Sequence, residues 1–150
     1  MKVKSLMTHH VHTCTPEDTL AHAAKLMWDH DVGSIVVVDA EGRAIAMITD
    51  RDACMAAYTQ GVRLADVDVA MAMSRDIVTC TPDTSVSEVE TMMRNAQLRR
   101  IPVVGYGDEL VGIVTLGDLA RHSQERTLAM ALESPALSRT FAGIVSPRPS

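Results

Sequence analysis

A chain of 150 residues with 47% hydrophobic content can bury a core, either as one compact domain or as two small repeats sharing one. Its 19 acidic against 14 basic residues, for a net charge of −5, leave no lysine–arginine cluster for counterion release, which argues against nucleic acid as a partner. No apolar run approaches the roughly 18 residues of a membrane span, and Met1-Lys2-Val3-Lys4 is not followed by the apolar core of a signal peptide, so the expectation is a cytoplasmic protein with no membrane partner.

The chain opens on a short apolar segment, Val3 to Thr8, followed by a short strand that Pro16 ends. Thr19 then offers a helix N-cap, and Leu20, Ala23, Ala24 and Met27 fall on one helical face. Ile35 to Asp39 is a β-branched run, turned by Ala40-Glu41-Gly42-Arg43 into a second strand, Ala44 to Thr49. A helix from about Asp50 to Gln60 should stop at Gly61, which tolerates the left-handed conformation of a helix end.

The same order then returns. Val69 to Ser74 is the second apolar opening, and Pro82 ends the second short strand. Ser85 with Glu88 reads as a capping box ahead of a helix whose buried face is Val86, Val89 and Met93. Ile101 to Val104 turns through Gly105-Tyr106-Gly107-Asp108 into Leu110 to Thr115, and another helix begins near Leu116. Glu125 to Leu132 is a further helical candidate before Pro135, and the end from Val145 to Ser150 should fray or lie extended.

The return is a true repeat: a shift of 66 residues places Thr13-Cys14-Thr15-Pro16 on Thr79-Cys80-Thr81-Pro82, Met27 on Met93, Thr49 on Thr115 and Asp52 on Asp118, without a gap. The match covers roughly residues 3–58 against 69–124, and the chain divides into repeat one (1–62), repeat two (63–124) and a C-terminal extension (125–150). The expected architecture is mixed α/β (α+β): two β-α-β-β-α repeats, each with a three-stranded sheet and helices on one face, packed together about a pseudo-twofold axis.

At the end of each second strand stand a threonine and, three residues on, an aspartate: Thr49 with Asp52 and Thr115 with Asp118. Placed at a helix N-terminus, hydroxyl and carboxylate can cap backbone N–H groups or accept hydrogen bonds from a ligand's hydroxyls. Both readings stand for a single copy; two copies in register favour a ligand site.

With these residues in view the chain resembles a tandem cystathionine-β-synthase (CBS) domain pair, also called a Bateman module. The family's motif, an apolar strand with glycine followed by Thr or Ser, two residues and Asp, stands here as Gly112-Ile-Val-Thr115-Leu-Gly-Asp118. The chain's length, Thr49-Asp50-Arg51-Asp52 and a tail with Ser134-Pro135 also resemble small stand-alone bacterial stress- and hypoxia-response CBS proteins.

The resemblance implies regulatory binding of an adenosine derivative (AMP, ADP, ATP, NAD or S-adenosylmethionine) in clefts between the repeats, with no cofactor required. By motif position, Asp52 and Asp118 would hold ribose hydroxyls, assisted by Thr49 and Thr115. A carboxylate can accept from two vicinal hydroxyls at once. Backbone around Val11 to Thr13 and Ile77 to Thr79 would frame the base, with Ser34-Ile35-Val36 and Arg100-Ile101-Pro102. Arg51, Arg99 and Arg100 are candidates either for phosphate contacts or for a solvated face. Ala46 replaces the motif glycine in repeat one and Val36 stands opposite Pro102; a methyl at Ala46 crowding the nucleotide would make the Asp118 site the better binder.

His9, His10, His12 and Cys14 are the one cluster resembling a metal site, since imidazole and thiolate suit zinc or copper. They crowd one strand without a fourth ligand, and repeat two has Asp76, Val78 and Cys80 there, so a polar entrance to the cleft is preferred. His22, His30 and His122 read as isolated and exposed. The cysteines Cys14, Cys54 and Cys80 contain no C-x-x-C and are expected reduced, and most of the 10 methionines are expected to fill the core.

No Gly-x-Ser-x-Gly elbow, Walker loop or His-Glu-x-x-His is present, so a noncatalytic regulatory module is expected: a homodimer that senses an adenine nucleotide and signals to an effector protein. The alternative is a scaffold whose clefts are vestigial.

Overall fold

The computed structural model describes residues 1–130. Single turns of 3-10 helix at Val3–Ser5 and Val69–Met71 open the two repeats. The first continues as β1 (Thr13–Cys14), α1 (Leu20–Asp29), β2 (Ser34–Val38), β3 (Ala44–Thr49) and α2 (Asp50–Gln60). The second has α3 (Val86–Ala96), β4 (Arg100–Val104), β5 (Leu110–Thr115) and α4 (Leu116–Met130). Helix α4 absorbs the start of the candidate at Glu125 to Leu132; the rest of that candidate, Ser134-Pro135 and the last six residues lie outside the described residues. No helix among the described residues is long and apolar enough to cross a membrane.

The caps form where the side chains allow them. Thr19 accepts from the His22 N–H, whereas Ser85 and Glu88 close a full capping box. Gly61 closes α2 at φ 64°, in the left-handed region that glycine enters without a Cβ clash. The apolar faces then turn inward: Leu20, Ala23 and Met27 of α1 and Val89 and Met93 of α3 are buried. Each large side chain so removed from water contributes about 1.5–3 kcal/mol.

The first sheet has the order β1-β2-β3, with β1 parallel to β2 and β2 antiparallel to β3. The second departs from the expected three strands: β4 and β5 pair, and the leading strand shrinks to one parallel bridge, Cys80 with Val103. Proline is the reason. The counterpart of the Thr13–Val36 pair would need an N–H from Pro102, which has none, so the ladder stops after one pair.

The opening segments are exchanged. Val3 is buried with Val89, Ile101 and Val114 of the second repeat, while Val67 and Val69 are buried with Leu20 and Ile48 of the first. Thr8 exchanges two backbone hydrogen bonds of 2.9 Å with Ile113 on β5, and Ser74 exchanges bonds of 2.8 and 3.0 Å with Met47 on β3. Each exchange covers a strand edge that would otherwise be open. Arg43 and Glu109, equivalent positions of the two repeats, bridge to each other, which marks the pseudo-twofold axis. Val36, Ala44 and Val104 form a third core cluster across it.

Candidate functional site

Both Thr-x-x-Asp motifs are capping boxes. At the start of α2 the Thr49 N–H donates to Asp52 Oδ2 (2.9 Å) and the Asp52 N–H donates to Thr49 Oγ1 (3.1 Å). At the start of α4 the Thr115 N–H and hydroxyl both donate to Asp118 Oδ2 at 2.8 Å, and the Asp118 N–H donates to Thr115 Oγ1 at 3.2 Å. Capping occupies Oδ2 alone. Oδ1 is left over in each carboxylate, and its surroundings distinguish the two sites.

Each motif faces a cavity assembled from both repeats. Thr49 and Asp52 line one of about 630 Å³ with Ile77, Val78 and Pro102 from the second repeat. Thr115 lines the other, about 780 Å³, with Val11, His12, Ile35 and Val36 from the first. Because Thr8 is tied to β5 and Ser74 to β3, the chain leaving each tie is led along the opposite repeat's motif. Both volumes fall within the roughly 300–1,000 Å³ of small-molecule sites.

Ser34, Arg99 and Arg100 line both cavities, and Arg51 lines the smaller. Ser34 is 8% exposed, and its Oγ has no hydrogen-bond partner. A buried hydroxyl left unpaired costs about 1–3 kcal/mol, so it stands out in the wall the cavities share. Arg100 is half-buried; burial pulls its guanidinium below the ordinary value, opposed by Asp50 and reinforced by Arg99.

Four sequence candidates stand outside the cavity walls. Thr13 is held in β1 opposite Val36, and Thr79 occupies the matching place beside Pro102. Ile101 is fully buried, because strand alternation turns it into the second core while Arg100 and Pro102 face the cavity. Asp118 is also withdrawn: it is 8% exposed, and the Arg121 guanidinium donates to its Oδ1. Arg121 lines the larger cavity and was not singled out in the sequence; its spacing of three from Asp118 on a helix was the available signal.

The Ala46 methyl does not reach a cavity. A Cβ on Gly112 would meet the Thr8 carbonyl oxygen at 2.9 Å and Met7 Sδ at 3.0 Å, which belong to the exchanged segment. Ala46 is fully buried in the first core. Neither position lines a cavity, so the methyl does not crowd a ligand there.

The histidine–cysteine cluster separates. Cys14 is buried in the first core, where burial and then Asp18 push its thiol up to about 12; burial pushes Cys80 up to about 11. Among the described residues no three His, Cys, Asp or Glu side chains gather in a metal-binding arrangement. The imidazoles of His10 and His12 turn to the larger cavity. His30, expected to be isolated, stacks on His12 with centroids 3.4 Å apart, and His10 meets His12 edge-on at 5.2 Å. His22 is exposed as expected, whereas His122 is half-buried.

This is a two-repeat α/β module with a pair of composite clefts, each lined by the threonine of one Thr–Asp cap. The chain belongs to the CBS-domain family, whose model matches residues 3–58 and 65–125. It is 42% identical over 118 residues to the CBS domain-containing protein YhcV of Bacillus subtilis, covering 79% of this chain and 82% of that protein. It is 34% identical over 126 residues to hypoxic response protein 1 of Mycobacterium tuberculosis, covering 81% and 85%. Among solved structures, the CBS domain pair of protein MJ0100, in complex with 5′-methylthioadenosine and S-adenosyl-L-methionine, superposes with a TM-score of 0.74 at 25% identity, over 84% of this chain and 98% of that one.

Proposed function

We propose that this protein is a noncatalytic regulatory module that binds an adenosine derivative in the clefts between its repeats and signals by a change of shape or of partner. The observation that carries this reading is the Ser34 hydroxyl, buried without a partner in a wall common to two cavities, one lined by Thr49 and Asp52 and the other by Thr115. In the smaller cavity Asp52 Oδ1, unpartnered among the described residues, can accept from ribose hydroxyls. Arg99 and Arg100 lie within reach of either cavity for phosphate. The adenosine ligands of the MJ0100 domain pair support the class of ligand.

A ligand spanning residues of both repeats changes their relative position only by binding one arrangement more tightly than another. A homodimer suits the surface: Trp28 is 86% and Tyr58 81% exposed on the helices. The effector would be a separate protein that reads the ligand-bound form.

Calorimetric titration of ligand-free protein with AMP, ADP, ATP, NAD and S-adenosylmethionine tests the reading. Micromolar binding of at least one ligand, weakened tenfold to a hundredfold by Asp52→Ala or Asp118→Ala, is expected for a lost charge-assisted hydrogen bond of about 1.5–3 kcal/mol. Absence of binding across the series would replace the sensor with a scaffold whose clefts are vestigial.

A further inference from the structure

The two cavities share Arg99, Arg100 and Ser34, so their difference lies in what each has alone. The smaller adds Asp50, Asp52 and Asp76 against the single cation Arg51. The larger adds His10, His12, His30 and Arg121 against the single lining carboxylate Asp31. The repeat places Asp76 where the larger cavity has His10, Val78 where it has His12 and Asp50 where it has Leu116, so equivalent wall positions carry different chemistry.

We infer that the cavities take different classes of ligand: the histidine-lined one a polyphosphate-bearing adenine nucleotide, the carboxylate-lined one an adenosine derivative with little negative charge. The inference rests on the adenosine reading above and adds the division between sites. A polyphosphate brings several negative charges, which favour convergent Arg and imidazolium donors and are repelled by three carboxylates.

The imidazoles also couple this binding to protons. His12 and His30 stack with planes 10° apart, so two imidazolium charges would repel across the stack. Burial, then His30 and His10, hold the His12 pKa down. The other charged groups facing the cluster are Asp31 at the end of α1, Arg99 and Arg100 at the start of β4, and Arg121 with Asp118 on α4. All the lining cations disfavour protonation until an anion enters. Phosphate oxygens among these rings reverse that balance, so binding draws protons onto them and tightens as pH falls.

The test uses full-length protein in EDTA, titrated at pH 7.5 and 6.5 with adenosine, AMP, ATP and inorganic tripolyphosphate, with histidine side-chain NMR as a second readout. ATP should bind the larger cavity more tightly than AMP or adenosine and tighten about three- to tenfold over that pH unit, up to one proton taken up. Tripolyphosphate should raise the apparent pKa of His12. The combined His12→Gln and His30→Gln variant, checked for folding by its melting curve, should flatten the pH dependence.

Adenosine binding there as tightly as ATP would overturn the inference and leave the adenosine reading intact. Tripolyphosphate binding with the His12 shift, but no binding of adenosine, would keep the polyphosphate site and overturn that reading. No response to either phosphate compound would overturn the inference.

Discussion

The guanidinium of Arg121 donates to Asp118 Oδ1, the carboxylate oxygen that helix capping leaves over, whereas the equivalent position in the first repeat is Met55 and Asp52 Oδ1 has no such partner among the described residues. The two carboxylates therefore meet a ligand in different states, one occupied and one open.

A ribose reaching Asp118 must displace or share the Arg121 bond. Asp118 is buried but the Arg121 side chain is 44% exposed, so screening holds the pair near the upper end of the roughly 0.2–1 kcal/mol of surface pairs, and Arg121→Ala should raise the affinity for adenosine, which has no phosphate to engage the guanidinium, by about fivefold. Calorimetry on the variant checks this. A fall in adenosine affinity would mean that Arg121 holds the carboxylate in its binding pose.

Gly112 serves the exchange of segments rather than the ligand. Its added Cβ would press on the Thr8 carbonyl oxygen at 2.9 Å, and backbone cannot yield as a flexible side chain can. Gly112→Ala should cost about 1–3 kcal/mol in chemical denaturation, in the range of overpacked cores. Ala46→Gly should also destabilise, by about 0.5–1 kcal/mol through the lost conformational restriction, with no gain in ligand affinity.

Ser34→Ala separates stability from binding. The orphan hydroxyl gains nothing in the ligand-free fold, so its removal should leave the stability unchanged or raise it by at most about 1–3 kcal/mol of relieved desolvation, read as an equal or higher melting temperature. Ligand affinity should fall in both cavities, because both are lined by this residue. A lower melting temperature with unaltered affinity would assign Ser34 to packing alone.

The thiols give a pH signature. Cys14 and Cys80 are raised from 9.0 to about 12 and about 11, so the folded protein keeps protons that the unfolded chain releases. That contribution to stability is complete below pH 9 and is lost as pH rises through about 11 to 12, with a slope of about 1.4 kcal/mol per pH unit for each thiol. Iodoacetamide at pH 8 should alkylate exposed Cys54 in the native protein and reach Cys14 and Cys80 only after unfolding.

Much of the fold was written locally. The hairpins, Gly61 at the end of α2 and the Ser85–Glu88 box depend on residues within a few positions of one another, where spacing and propensity suffice, and the 66-residue repeat shows when the chain is laid on itself. Thr49, Asp52, Thr115 and Asp118 were legible in the same way, since capping and ligand reading start from one spacing. The second sheet's missing pair was also written, in Pro102, but its effect depended on which way that residue's N–H would have pointed.

Sequence alone determined the repeat, its elements and the carboxylates; tertiary structure decided where the cavities lie and what else lines them. The exchange of Thr8 onto Ile113 and Ser74 onto Met47 joins residues far apart in the chain, and backbone hydrogen bonds carry no side-chain signature to announce such a pairing. From it follow the composite cavities, the contact that makes Gly112 necessary and the stacking of His30 on His12. Local patterns specify which surfaces are apolar; only packing the two repeats together determines which polar groups converge.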